Sequence, residues 1–287
     1  MNDRVAVRKT YKLFIGGAFP RSESGRTYGV HDAKEKFLAN AAKGSRKDAR
    51  DAALAARAGF AGWSAATAYN RGQVLYRVAE VMEGRREQFI ADVQAAEGLG
   101  DKKSARVVDT SIDRLVWYAG WADKYAQVLG NTNPVAGPYF NFAIPEPTGV
   151  VAAIAPQDSS LLGLVSVIAP IVVTGNTVVV VASTRRPIPA ITLTEVLATA
   201  DLPPGVVNVL TGDPAEIAPW LASHGDVNAI DLTGVTNQDL AKQLEIEAAG
   251  TVKRVRRPAQ PNWLATPDLG RLTFFIETKT VWHPIGA

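Results

Sequence analysis

The sequence contains no cysteine among its 287 residues. This absence excludes disulfide bonds, thiolate zinc sites and a cysteine nucleophile within the printed chain. Histidine is nearly as scarce. His31, His224 and His283 stand far apart, without the spacing of metal ligands. Surface or core roles are therefore favoured for all three, and no metal site is predicted. No Ser-His-Asp order and no Gly-rich phosphate loop stands out either.

Long apolar runs and strong charge are also missing. The stretch 161–173 is apolar, but it is too short to span a bilayer and is better explained as a buried helix. The first residues lack an apolar signal core. The net charge of +3 and the pI near 9.1 are a weak basic excess, and only 253–257 is locally basic. We therefore expect a cytoplasmic protein that binds neither membranes nor nucleic acid.

What the chain does contain is an α/β pattern over 148–234. Short runs rich in Val and Ile alternate there with longer helical patterns, which predicts a Rossmann-like parallel sheet with flanking helices. Strands are expected near 149–155, 177–182, 206–211 and 227–232, and a fifth is expected from Thr251. Helices are expected near 160–174, 188–200, 214–223 and 236–249.

The flanking segments predict helices and isolated strands. A short β-hairpin is expected within 1–30, with a turn at Gly16-Gly17. Three helices should follow: one capped by Ser45, one over 69–96 and one over 103–125. Two β-rich pieces remain, 130–147 and 272–282. Because two strands cannot bury a face alone, these pieces need a partner surface.

Four motifs carry a resemblance to a known family. They are Gly149-Val150-Val151, Ala169-Pro170 followed by Gly-Asn-Thr-Val-Val at 175–179, the run 202–209, and Leu232-Thr233-Gly234. In order and spacing they resemble the aldehyde dehydrogenase superfamily, and 277–281 resembles its C-terminal oligomerisation strand. The resemblance implies a cofactor-binding-like domain at 1–125 and 149–261, with oligomerisation strands at 126–148 and 271–287. It also implies a truncated member. The cysteine-bearing catalytic domain would be expected between roughly Asn262 and Arg271 and is absent there.

Five positions depart from the family's site motifs. Asp158 replaces the Asn that helps hold the oxyanion, and a carboxylate there would repel such a charge. Capping of the next helix by Asp158 or Ser159 is the favoured explanation. Val181 and Thr184 replace the Lys and Glu that bind the adenosine ribose. Val235 and Asp239 replace a Ser and a Gly of the family motif that meets the cofactor pyrophosphate. The segment 253–260, where the general base is expected, contains no Glu.

The resemblance with these losses implies a catalytically deficient aldehyde dehydrogenase-like subunit. It would act as a structural or regulatory partner in an oligomer, with a full-length aldehyde dehydrogenase paralogue or with itself. No catalytic residue and no cofactor are expected. Two alternatives stay open, and NAD or NADP would still be used in either. One is an NAD(P)-dependent aldehyde oxidoreductase, and the other is a nucleotide-binding module with a degenerate pocket.

Overall fold

A computed structural model describes residues 9–286. Its strands are β1 (Thr10–Tyr11), β2 (Thr27–His31), β3 (Phe37–Ala42), β4 (Asn131–Asn133), β5 (Tyr139–Pro147), β6 (Val150–Ile154), β7 (Thr177–Val181), β8 (Val207–Leu210), β9 (Ala229–Asp231), β10 (Arg254–Arg256) and β11 (Ile276–Pro284). Its helices are α1 (Arg46–Ala65), α2 (Ala68–Gly84), α3 (Arg86–Glu97), α4 (Asp101–Trp121), α5 (Tyr125–Leu129), α6 (Leu162–Val173), α7 (Ile188–Leu197), α8 (Pro214–Ser223), α9 (Gln238–Ala249) and α10 (Gly270–Phe274).

The central sheet confirms the predicted α/β fold. Its five strands are all parallel and lie in the order β10-β9-β6-β7-β8. Every residue of β6, β7, β8 and β9 is buried. Apolar clusters cover both faces of the sheet, one built mainly with α2, α3, α4, α6 and α7 and the other with α1, α8 and α9. This double coverage explains why the strands read as continuous apolar runs.

The fifth strand begins three residues later than expected, at Arg254. A turn follows α9, in which the Val252 N–H donates to the Ala249 carbonyl oxygen at 3.1 Å. Val252 adopts a φ of 55° there, in the left-handed region. The turn occupies the residues that the prediction gave to the start of the strand.

The helical layer differs from the prediction at one break. The helix expected over 69–96 is two helices, α2 and α3, that meet at Arg85. Arg85 has a φ of −115°, and its guanidinium reaches Glu195 of α7 at 2.6 Å. Arg86 pairs with Asp109 of α4 at 2.6 Å, so both arginines tie helices together. The helix expected over 103–125 is α4, which ends at Trp121.

The N-terminal hairpin lies later than predicted. β2 pairs antiparallel with β3, and the Asp32 carboxylate accepts the N–H groups of Lys34 and Lys36 in the turn between them. The two-residue β1 pairs parallel with β3. The turn at Gly16-Gly17 is confirmed, because Ile15 and Ala18 exchange backbone hydrogen bonds around it at 3.0 Å. The first eight residues of the predicted arm lie outside the described residues.

A second antiparallel sheet projects beside the main one. It contains β11, β5 and β4 in that order, and β11 pairs with β5 along its whole length. The β-rich run expected from 272 begins only at Ile276, since α10 takes up the residues before it. Leu272 and Phe275 of this segment are buried in the main core. Within residues 9–286, no helix is long and apolar enough to cross a membrane.

Candidate functional site

A groove opens where the main sheet changes its winding direction. From β6 the chain builds outward through β7 and β8, and it then returns to add β9 and β10 on the other side. Open α/β sheets bind ligands in the crevice at the carboxyl ends of the two strands at such a switch point. Here that crevice is a cavity of about 560 Å³, lined by loops from residues 156–158, 185–186, 233–238 and 258–261 together with Ala241 and Trp263.

Close backbone contacts fix the floor of this groove. The Gly234 N–H donates to the Ile154 carbonyl oxygen at 3.1 Å. A Cβ atom on Gly234 would lie 2.0 Å from the Ala155 carbonyl oxygen, so only glycine fits there. The Gln157 amide fills the gap between β6 and β7. It donates to the Ala155 oxygen at 2.8 Å and accepts from the Thr184 N–H at 3.1 Å.

The five positions singled out from the sequence do not converge. Asp158 and Val235 line the groove. Val181 is fully buried inside β7. The Thr184 hydroxyl donates to the Gly212 carbonyl oxygen at 2.9 Å, and this residue lines a separate cavity of about 420 Å³. Asp239 lies in the first turn of α9, outside the groove lining.

The N-cap residue of α6 is Leu161, whose side chain makes no capping hydrogen bond, so the predicted N-cap by Asp158 or Ser159 is wrong. The Ser159 hydroxyl accepts the Gly163 N–H at 2.9 Å, whereas the Asp158 carboxylate has no hydrogen-bond partner among residues 9–286. A second carboxylate, Glu97 of α3, accepts both the N–H and the hydroxyl of Ser160, at 2.7 and 2.6 Å. Two N–H groups at the start of α6, those of Ser160 and Gly163, are therefore satisfied by the protein itself.

The two arginines at the rim are also engaged within the chain. Arg185 forms an exposed ion pair with Glu35 at 2.8 Å. Arg186 donates to the Asp158 carbonyl oxygen at 2.6 Å. Neither guanidinium is held by a buried partner that would aim it into the groove. They offer weak, solvent-screened attraction to an anion.

One wall of the groove is the segment between β10 and α10, residues 257–269, which we call the connection. Arg114 of α4 clamps it, because the Arg114 Nη2 donates to the carbonyl oxygens of Trp263 and Ala265 at 2.8 and 2.9 Å. Arg114 is itself buried and also donates to Ser166 at 2.9 Å. The sequence contains one indication of this contact, because Arg114 lies on the same face of α4 as the buried Leu115.

Arg271 provides the second clamp on the connection. Its guanidinium lies 4.8 Å from the centroid of the Trp263 ring and donates to the Thr233 hydroxyl at 3.3 Å. Burial lowers the pKa of Arg271, against the opposing effect of Asp231. Burial also raises the pKa of Tyr118, close to both clamps, to about 12. This phenol is therefore neutral at physiological pH and is no general base.

The charged side chains of the groove give the pyrophosphate of a dinucleotide little support. Among its described lining residues, the two cations are committed to protein partners, and the uncommitted charge is the Asp158 carboxylate. A carboxylate in the same groove would repel a phosphate. Residues 9–286 also contain no group of three or more His, Asp or Glu side chains placed to hold a metal ion.

Comparison with known proteins identifies close relatives of this architecture. The model of the aldehyde dehydrogenase family matches residues 19–256. Human aldehyde dehydrogenase 1A1 is 33% identical over 252 residues, which cover 85% of this chain and 49% of that protein. Chicken retinal dehydrogenase 2 is 35% identical over 255 residues, covering 86% and 48%. The chain thus spans about half the length of the curated relatives it matches.

Solved structures agree with this result. The NAD⁺ complex of an aldehyde dehydrogenase from Bacillus cereus superposes with a TM-score of 0.81 at 25% identity, covering 86% of this chain and 50% of that one. HpcC from Thermus thermophilus superposes with a TM-score of 0.80 at 30% identity, covering 86% and 47%.

Proposed function

Since the chain belongs to the aldehyde dehydrogenase family, we propose that it is a catalytically deficient subunit that works as a structural or regulatory partner in an oligomer. The partner is a full-length aldehyde dehydrogenase. Family chemistry needs a thiolate nucleophile and a base. The printed chain has no cysteine, and its groove contains no Glu.

The observation that carries this proposal is the sheet of β4, β5 and β11. It presents large apolar side chains to solvent on both faces: Tyr139, Phe140, Ile144 and Trp282, with Ile285 just beyond its end. In the described chain, β11 is an edge strand that pairs only with β5. Exposed apolar edges of this length are commonly covered by another chain.

Two roles divide the chain under this proposal. Residues 1–125 and 149–261 form a cofactor-binding-like scaffold, and 126–148 with 271–287 form the assembly strands. The connection occupies the place in the chain where the family's catalytic domain is expected. A lone copy then has no such domain to offer the assembly strands of a second copy, and this favours a full-length partner over self-pairing.

Co-expression with a full-length aldehyde dehydrogenase of the same organism tests the assembly. We expect a stable complex by affinity capture and native mass spectrometry. Trp282→Lys in β11, at a side chain 57% exposed, should weaken it by more than roughly tenfold. Trp220→Lys in α8, 41% exposed and outside the sheet, is the matched control and should leave the complex intact. Circular dichroism melting curves establish that both variants fold.

A monodisperse lone protein that does not bind the full-length enzyme would overturn the assembly role.

The two alternative functions are tested by separate measurements. Aldehyde-dependent NADH formation by the purified chain would establish an oxidoreductase instead. Calorimetric titration with NAD and NADP should give no binding tighter than about 1 mM, because two polar anchors are replaced. Micromolar affinity would favour the nucleotide-binding module.

A further inference from the structure

A separate cleft of about 240 Å³, which we call the basic cleft, opens beside β1 on the small N-terminal sheet. Three cations line it: Lys12, Arg21 and Arg26. All three are exposed, and none of their side chains has a hydrogen bond or an ion pair with another residue among 9–286. The described lining contains no carboxylate. A concave surface with charge of one sign attracts ligands of the opposite sign.

Two carboxylates in or against the turn 21–26 are engaged away from the basic cleft. Asp48 of α1 is 4% exposed and accepts the Ser22 hydroxyl at 2.7 Å and the Ser45 N–H at 2.8 Å. The Glu23 carboxylate pairs with Lys47 at 3.1 Å. Neither carboxylate lines the cleft. The turn that carries Arg21 and Arg26 therefore does not neutralise them.

Backbone hydrogen bonds fix both sides of the basic cleft. On one side, β1 pairs with β3, and the Leu13 N–H donates to the Pro20 carbonyl oxygen at 3.1 Å. On the other side, the Arg26 carbonyl oxygen accepts the Lys43 N–H at 2.9 Å. Because these backbones are held before a ligand arrives, binding has to order only the exposed side chains, which lowers its entropy cost.

Two hydroxyl groups add neutral donors to the basic cleft. Thr10 and Thr27 line it, and neither hydroxyl has a hydrogen-bond partner in the described part of the chain. Each can donate to an anionic oxygen or bond to a hydroxyl of the ligand. The guanidinium groups of Arg21 and Arg26 present planar forks that match the oxygens of a phosphate. This combination suits a phosphate group joined to a small polar body.

We infer that the basic cleft binds the phosphate of a small phosphomonoester, with Lys12, Arg21 and Arg26 on its oxygens. A phosphomonoester carries a charge of about −1.5 to −2 at pH 7, which three cations balance. The volume of about 240 Å³ is below the usual range for larger ligands, so the group attached to the phosphate is small. The site lies within residues 10–42, outside the assembly strands, and is independent of the assembly proposal.

Calorimetry with the intact protein at low ionic strength tests the site, with glycerol 3-phosphate as the probe. We expect saturable binding in the millimolar range or tighter. Arg26→Gln should weaken it roughly fivefold, because one charge-assisted hydrogen bond is lost. Since the Arg26 side chain has no hydrogen bond or ion pair in the described chain, this variant should fold, and circular dichroism melting curves check that it does.

Arg106→Gln is the matched control. Arg106 is an exposed arginine of α4 that lies outside the basic cleft and has no ion pair among residues 9–286. Its removal lowers the net charge of the protein by the same amount and should leave the affinity for glycerol 3-phosphate unchanged. Equal losses of affinity in Arg26→Gln and Arg106→Gln would overturn the inference, because the attraction would then belong to the whole protein.

The pH dependence of binding gives a readout that altered folding cannot imitate. The described lining contains neither histidine nor carboxylate, whereas the second ionisation of a phosphomonoester has a pKa of about 6. The affinity for glycerol 3-phosphate should therefore rise roughly threefold or more between about pH 5 and about pH 7.5. Methyl sulfate, which stays a monoanion, should show no such rise. An affinity for glycerol 3-phosphate that does not change with pH, or no saturable binding of it, would also overturn the inference.

Discussion

The Nη1 atom of Arg271 lies 3.4 Å from the Oδ2 atom of Asp231. Asp231 ends β9 at the centre of the fold and is only 1% exposed. Its other carboxylate oxygen accepts the Thr233 N–H at 2.8 Å. A buried carboxylate needs such partners, because an unpaired charge in the interior is costly. Arg271, which follows the connection, thus neutralises the buried carboxylate at the end of β9.

Arg271→Gln should destabilise the protein by about 3 kcal/mol, because it leaves the Asp231 charge buried without a cation. Urea unfolding followed by circular dichroism measures this loss. Arg257→Gln is the matched control. Arg257 is 80% exposed and pairs with Glu245 at 3.4 Å, so its removal should change stability by less than about 0.5 kcal/mol. Similar losses in the two variants would contradict the role of Arg271.

Gly234→Ala should cost about 3 kcal/mol or prevent folding, because the new Cβ would lie 2.0 Å from the Ala155 carbonyl oxygen. Neither backbone can move without displacing a central strand. Gly225→Ala is the control, since nothing lies within 4 Å of the added atom. Thermal melting of both variants provides the comparison, and a Gly234→Ala protein as stable as the control would refute the close approach.

Asp92→Asn should change the pH dependence of stability. Burial raises the pKa of Asp92, the Thr192 hydroxyl at 2.6 Å opposes this, and Glu195 adds to it. The folded state therefore holds the Asp92 proton more tightly than the unfolded chain does. The stabilisation that Asp92 contributes to the folded state is present below about pH 4 and is lost as the pH rises through its raised pKa.

Unfolding free energies measured from about pH 4 to neutral pH check this sign. The Asp92→Asn variant should lose less stability on going up in pH than the unmodified protein does. Asp123→Asn, at an exposed position, controls for the removal of one acidic group. A steeper loss of stability with rising pH in the Asp92→Asn variant would mean that the ionised Asp92 carboxylate stabilises the unmodified protein.

Val252→Gly should stabilise the protein by about 0.5–1 kcal/mol. Val252 is 92% exposed and has a φ of 55°, a conformation that is strained for a β-branched residue. Glycine relieves this strain, and its greater freedom in the unfolded chain offsets part of the gain. Val116→Gly, on the exposed side of α4, should instead lose about 1 kcal/mol. Urea midpoints of the two variants should move in opposite directions.

The main sheet was predictable because its strands are buried on both faces and the connecting helices have strong periodicity. Local turns account for the errors. At the break, Arg85 pairs with Glu195, which is 110 residues away in sequence, and helical periodicity does not reveal such a contact. The late start of β10 depends on the left-handed Val252, a conformation that sequence patterns do not favour for valine.

The candidate site was only partly predictable. Asp158 and Val235 line the groove as their positions at strand ends suggest, whereas Thr184 turns to the neighbouring cavity. Trp263 was missed because the connection has no periodicity, and its placement depends on Arg114 from another layer. A side chain that donates to backbone carbonyl oxygens far away in sequence, as Arg114 does, leaves no spacing pattern along the chain.

The pairing of β5 with β11 also dictates when the second sheet can form during synthesis. Pro147 at the end of β5 pairs with Ile276, which lies 129 positions later (276 − 147). At the usual pace of translation, β5 leaves the ribosome roughly 6–25 s before its partner strand. Until then, β5 has only the short β4 as a hydrogen-bonding neighbour. The second edge of β5 should therefore stay unpaired until residues 276–284 emerge.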